Sequence, residues 1–214
     1  MKSLIIISVL FSLNTFANTG KRVFLQPLLG INYSKWNQKI DSSPITGTLA
    51  GNTYGYFYGA NLSYKFTPTF NIGYGYKNQS LTWLYANSKN YAEDDSWPKS
   101  SKATETTHEI ALSYQNNRSM VSLYYIVLAN LQMDDYYITQ FRPAKFSGNG
   151  FGLKLTLPLG SFFNWGIDLR QTSYNKATLN GTKIDMPGTL DDYTFNKKSI
   201  QTILLDLSFP LGLF

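Results

Sequence analysis

The one histidine of the 214-residue chain, His108, is the first place to look for proton transfer. A nucleophilic triad would need a hydroxyl and a carboxylate arranged about that imidazole. On an extended chain the neighbour on the same face, two residues on, is Ile110. The nearest hydroxyls are those of Thr106 and Thr107, and Glu109 falls on the opposite face. No Ser-His-Asp set is evident, so His108 reads as a polar residue on an otherwise apolar face. Cysteine is absent, which excludes disulfides and thiolate metal sites. Three acidic clusters, Glu93-Asp94-Asp95, Asp134-Asp135 and Asp191-Asp192, could converge on a divalent cation. None has calcium-loop spacing, and solvated loop charges are the simpler reading. No catalytic residue, cofactor site or metal site is therefore assigned.

The remaining charges fall into two sets. Lys65, Lys77, Glu109, Lys154, Asp168, Arg170 and Asp206 stand singly among glycine, serine and asparagine. Lys99, Lys102, Arg142, Lys145, Lys197 and Lys198 lie in or beside long polar segments. The net charge is +6, but the basic residues are scattered, which gives nucleic-acid binding little support.

Period-two alternation accounts for the first set. Tyr58, Ala60, Leu62, Tyr64 and Phe66 alternate with Gly59, Asn61, Ser63 and Lys65. Phe151, Leu153, Leu155, Leu157 and Leu159 alternate with Gly152, Lys154 and Thr156. His108, Ile110, Leu112 and Tyr114 alternate with Glu109, Ala111, Ser113 and Gln115. One face thus meets an apolar medium and the other a polar one. The polar face is crowded with small residues, as expected where strands curve around a narrow interior. Eight strands are predicted, at about 24–36, 55–66, 70–85, 105–116, 119–133, 148–159, 163–174 and 198–213. Strand five is the least regular: Val121, Leu123, Tyr125, Val127, Ala129 and Leu131 are placed outward, and Tyr124, Ile126 and Leu128 inward. The last strand is expected to put Ile203, Leu205, Leu207, Phe209 and Leu211 outward, opposite Leu204, Asp206 and Ser208.

The connections alternate in length. Thr67-Pro68-Thr69, Asn116-Asn117-Arg118 and Gly160-Ser161-Phe162 are tight turns. The links at about 37–54, 86–104, 134–147 and 175–197 are long and polar. Short turns on one side and long loops on the other are the asymmetry of barrels in bacterial outer membranes. The fold class is therefore all-β: an eight-stranded antiparallel transmembrane β-barrel with short periplasmic turns and long extracellular loops. An apolar run at Leu4–Phe11 behind Lys2, followed by Thr15-Phe16-Ala17, predicts a signal peptide over 1–17 and a barrel domain over 18–214.

The chain ends Leu205-Asp-Leu-Ser-Phe-Pro-Leu-Gly-Leu-Phe214, an alternating apolar strand with a terminal Phe. Phe209, Leu211 and Phe214 resemble the signal read by the outer-membrane insertion machinery. Leader, eight strands and terminal Phe together resemble the small outer-membrane β-barrel family of OmpA, OmpX and OmpW types. That resemblance implies an integral outer-membrane barrel, monomeric, with membrane lipid and lipopolysaccharide as partners and no cofactor. The seven inward charges are expected to pair into a plug, since an eight-stranded barrel is just wide enough to be filled by side chains. Lys99, Lys102, Arg142, Lys145, Lys197 and Lys198 are expected near lipid A phosphates. The loop aromatics Tyr91, Trp97, Tyr136, Tyr137, Phe141 and Tyr193 could serve adhesion, cover the barrel mouth or sit in headgroups. A structural or surface-interaction role leads. A narrow channel or OmpW-like transporter of small molecules is the alternative. A lipid A-modifying enzyme, of the kind that places a histidine near the outer leaflet, comes third because the triad is missing.

Overall fold

A computed structural model describes residues 21–42, 46–86, 100–117, 119–136, 138–160 and 162–213. The expected signal peptide therefore lies outside the described residues. Eight long strands form the wall: β1 (Val23–Ser42), β2 (Thr46–Lys65), β3 (Phe70–Ala86), β4 (Ser100–Asn116), β5 (Ser119–Met133), β6 (Ala144–Leu159), β7 (Phe163–Leu179) and β10 (Tyr193–Ser208). Two short strands, β8 (Thr182–Asp185) and β9 (Gly188–Leu190), lie between β7 and β10, and β11 (Leu211–Gly212) follows. Each long strand pairs antiparallel with the next. β1 closes the ring against β10, from Leu28 opposite Ser208 to Gln38 opposite Lys198. Closure leaves the wall without an unpaired edge, the condition for crossing lipid with strands.

The tight turns lie where the residue types require them. Thr67 Oγ1 accepts from the amides of Thr69 (3.3 Å) and Phe70 (2.9 Å). Asn117 and Gly160 turn the chain with positive φ, a conformation that asparagine and glycine tolerate.

The exterior carries a belt of exposed apolar side chains. Leu29, Ile31 and Tyr33 on β1 stand beside Leu207, Leu205 and Ile203 on β10, and Leu123 on β5 is 64% exposed. In water such a surface would aggregate; in lipid it is the solvated face. The interior side of the same strands is polar. The chain is an integral β-barrel of the bacterial outer membrane.

Four expectations need correction. The strands run further outward than predicted: β1 reaches Ser42, β6 begins at Ala144, and the predicted loop 175–197 is largely strand. Above the belt Lys35, Asn37 and Lys39 face outward while Trp36, Gln38 and Ile40 are buried. The alternation continues there with water outside, and that outer polarity imitates a loop. In β5 the register slips between Ile126 and Ala129, so that Val127 and Leu128 both face outward. Beyond this bulge the parity is reversed. Ala129, Leu131 and Met133 are buried inside, and Leu128 is not an inward residue. The last strand breaks at Phe209-Pro210, because proline cannot donate to the ladder. Pairing resumes with Leu211 opposite Leu25, and Leu211 points inward, 5% exposed. Finally, Lys198 is fully buried inside the barrel, so it does not stand at the lipid headgroups.

Candidate functional site

The lumen is filled in two layers. The lower one lies within the membrane and is built from alternate residues of β3, β4, β5 and β7. Lys77 Nζ donates to Glu109 Oε2 (2.7 Å) and Oε1 (2.9 Å) and to Asp168 Oδ2 (2.9 Å). The Tyr124 hydroxyl donates to Asp168 Oδ1, and the Lys77 ammonium stands 4.8 Å from the Tyr124 ring centre. Arg170 pairs with Glu105 and reaches Glu109 at 3.8 Å. Glu105 also accepts from the Tyr174 hydroxyl and from Gln79 Nε2 (2.6 Å). Gln79 in turn accepts from Asn32 Nδ2 (3.0 Å). One hydrogen-bonded chain therefore crosses the lumen from β1 and β3 through β4 to β7. Lys154 and Asp206 form a separate pair at 2.8 Å.

Charges buried in this way lose hydration, and only close pairing compensates. These pairs hold three cations, Lys77, Arg170 and Lys154, against four carboxylates, Glu105, Glu109, Asp168 and Asp206. The hydroxyls of Tyr124 and Tyr174 occupy acceptor positions that the cations leave. Glycine makes the room. A Cβ on Gly152 would stand 2.3 Å from the Tyr124 hydroxyl, and one on Gly166 would stand 2.7 Å from Asp206 Oδ2.

The upper layer lies above the apolar belt and is aromatic. Lys198 Nζ sits inside a cage of Trp83 (4.3 Å), Trp36 (4.7 Å), Phe146 (4.7 Å) and Tyr136 (5.7 Å, to ring centres). No carboxylate pairs with Lys198 among the described residues, and its Nζ also lies 3.7 Å from Met133 Sδ. The outward residues beside it, Lys197, Ser199 and Gln201, are polar, which places it beyond the lipid. Burial pushes its ammonium down to about 7. The four ring faces act in the opposite sense, because their negative quadrupoles favour the cation. Tyr136 and Phe141, from the segment after β5, fold down into the mouth, 0% and 2% exposed. Phe141 meets Phe195 and Tyr193 edge-on at 5.3 Å.

Of the seven charges predicted for the lumen, the structure brings Lys77, Glu109, Asp168 and Arg170 into one network and Lys154 with Asp206 into another. Lys65 joins none of these pairs and lines the periplasmic end. Sequence reasoning missed Glu105 and Lys198. Both were legible in principle, since Glu105 shares parity with Glu109, and Lys198 with Asp206. Among the outer cations, Lys102, Lys145 and Lys197 are exposed, whereas Arg142 turns its guanidinium onto the Tyr136 carbonyl. Lys99, Tyr91, Trp97, Tyr137 and the 93–95 acidic cluster lie outside the described residues, as does Phe214. Phe209 packs edge-on against Phe163 at 6.2 Å.

His108 lies on the outer face, as its parity requires. Its Nδ1 is hydrogen-bonded to the Tyr74 hydroxyl, and the Tyr76 ring stands 5.4 Å away. The pair satisfies two polar groups on a lipid-facing wall. Among the described residues, no carboxylate pairs with the imidazole. No group of three or more metal-ligating side chains occurs among the described residues.

No protein-family model and no curated protein sequence matches the chain. Solved structures do. The attachment invasion locus protein Ail of Yersinia pestis, in complex with the heparin analogue sucrose octasulfate, is 10% identical (TM-score 0.45, covering 86% of this chain and 98% of that one). Neisserial surface protein A is 12% identical (TM-score 0.43, 89% and 97%). The outer membrane protease OmpT of Escherichia coli is 10% identical (TM-score 0.39, 90% and 97%). The likeness to these proteins is one of fold, a β-barrel.

Proposed function

We propose that this barrel is a structural and surface-interaction protein of the outer membrane, with a closed lumen and no enzymatic chemistry of its own. The observation that carries the reading is the double closure. A hydrogen-bonded ionic chain crosses the lumen, and an aromatic layer caps it. Ions would have to break the first and wet the second. The wall then anchors the molecule, and the outer ends of the strands meet the envelope surface. Exposed Lys102, Lys145 and Lys197 suit the phosphates of lipopolysaccharide, where ammonium groups act as point charges.

Single-channel conductance of the purified protein in a planar bilayer tests the closure. A silent, correctly folded barrel is expected. Persistent, reproducible openings would move transport of small molecules to first place. The enzymatic alternative is tested by lipid A mass profiles of cells with and without the protein, which should be identical.

A further inference from the structure

The two ends of the barrel differ in the sign of their charge. Residues 21–29, 60–76, 110–123, 155–167 and 207–214 lie on the periplasmic side of the ionic layer. They hold four basic side chains, Lys21, Arg22, Lys65 and Arg118, and no acidic one. At the extracellular end both signs occur: Lys39 pairs with Asp41 at 3.1 Å, and Asp185 stands opposite Lys176.

Three of the four periplasmic cations lie together where the first strand meets its neighbours. The Lys65 amide donates to the Arg22 carbonyl (2.7 Å), which sets these two residues side by side. Lys21 Nζ donates to the carbonyls of Gly212 (3.0 Å) and Leu213 (3.4 Å). Arg22 is exposed, Lys21 and Lys65 are half-buried, and Lys65 lines the periplasmic opening of the lumen. No carboxylate pairs with any of the three among the described residues.

The aromatic residues at this end set their depth. Phe66 follows Lys65 and stacks on Phe70 at 6.2 Å. Both rings are exposed, as are those of Phe162 and Phe163 at the β6–β7 turn. Exposed rings at the rim of a membrane barrel lie at the lipid headgroups. The three cations therefore stand at the level of the inner-leaflet phosphates. Basic side chains at that level attract anionic lipid. A zwitterionic headgroup brings an ammonium with its phosphate, and this rim has no acidic side chain to receive it. A headgroup of phosphate and hydroxyls brings no such mismatch.

We propose that the periplasmic rim at Lys21, Arg22 and Lys65 binds an anionic phospholipid of the inner leaflet, of the phosphatidylglycerol class, in preference to a zwitterionic one. Arg22 and Lys65 hold the phosphate, and Lys21, tied to the last strand, adds its charge from the seam where the barrel closes. The site lies at the opposite end from the lipopolysaccharide contacts and is independent of them and of the closed lumen.

The test is native mass spectrometry of the barrel released from nanodiscs of equal parts phosphatidylglycerol and phosphatidylethanolamine. Phosphatidylglycerol should be retained on the protein in excess. Lys65→Gln and Arg22→Gln should each cut that excess about fivefold, the usual weight of one cation near an anionic surface. Lys65→Arg should keep it. The preference of the unaltered protein needs no variant, so one that does not fold leaves the test intact. Equal retention of the two lipids would overturn the proposal. So would an excess that survives in the rim variants and is lost in Lys102→Gln or Lys197→Gln, since it would belong to the extracellular end. Excess sodium phosphate added to the nanodiscs should not displace the lipid; displacement would make free phosphate the ligand and overturn the assignment to lipid.

Discussion

Lys77 and Lys198 are both buried in the same lumen, 1% and 0% exposed, and they are held in opposite ways. Lys77 lies between two carboxylates within the membrane; Lys198 lies among four aromatic rings above it. The difference teaches how one barrel satisfies two media. Where lipid surrounds the wall, buried charge is cancelled by charge. Where water surrounds the wall, the interior becomes an ordinary apolar core, and a lysine spans it by lying along ring faces. The aromatic layer tolerates loss of its cation; the ionic layer does not.

The same substitution at the two lysines would break this comparison if it gave the same result. Lys77→Met leaves Glu109 and Asp168 buried without their cation and should cost about 3–5 kcal/mol, the usual result of removing one partner of a buried pair. Lys198→Met removes a buried cation that pairs with no carboxylate among the described residues, and it should not lower stability in detergent near neutral pH, since relief of desolvation outweighs the lost cation–π attraction. Equal losses in unfolding temperature would mean that the aromatic layer also depends on charge. Asp168→Ala extends the test, because it strips a partner from both Lys77 and Tyr124; an unchanged unfolding temperature would count against the ionic plug.

A smaller effect sharpens the geometry. Gly152→Ala drives a methyl group into the Tyr124 hydroxyl and should cost about 1–3 kcal/mol by displacing that ring from Asp168. The loss should shrink in a Tyr124→Phe background, in which the hydroxyl is gone.

The pH dependence separates the layers further. An unfolded lysine near 10.5 holds a proton that folded Lys198 gives up near 7. Between these values the unfolded state binds more protons, so this group's contribution to stability rises as pH climbs from about 7 to 10.5 and is lowest below 7. Lys198→Met should flatten that part of the stability profile, measured by thermal unfolding at pH 6, 8 and 10. A slope unchanged by the substitution would show that Lys198 keeps its proton in the cage. The smallest effect is expected at His108→Ala, which frees one Tyr74 hydroxyl at the lipid face and should cost at most about 1 kcal/mol.

The sequence by itself determined the barrel. Alternation in Tyr58–Phe66 or Phe151–Leu159 admits one two-faced strand reading, and three tight turns between such strands leave little choice of topology. Parity also put Lys77, Glu109, Lys154, Asp168, Arg170 and Asp206 inside, because strand period two is a local property of the backbone. Only the tertiary structure decided which of them meet. Asp168 reaches Lys77 from a strand 91 residues away, a separation set by closure and shear and written in no local pattern. It also decided the places where period two fails. The bulge at Val127-Leu128 reverses the parity of β5, and Pro210 reverses that of the final strand. A bulge is a choice between two pairings of similar local energy, and the packing of Ala129, Leu131 and Met133 into the aromatic interior settles it. The same holds for Lys198, whose cage draws on four separate segments of the chain and exists only once the barrel has closed.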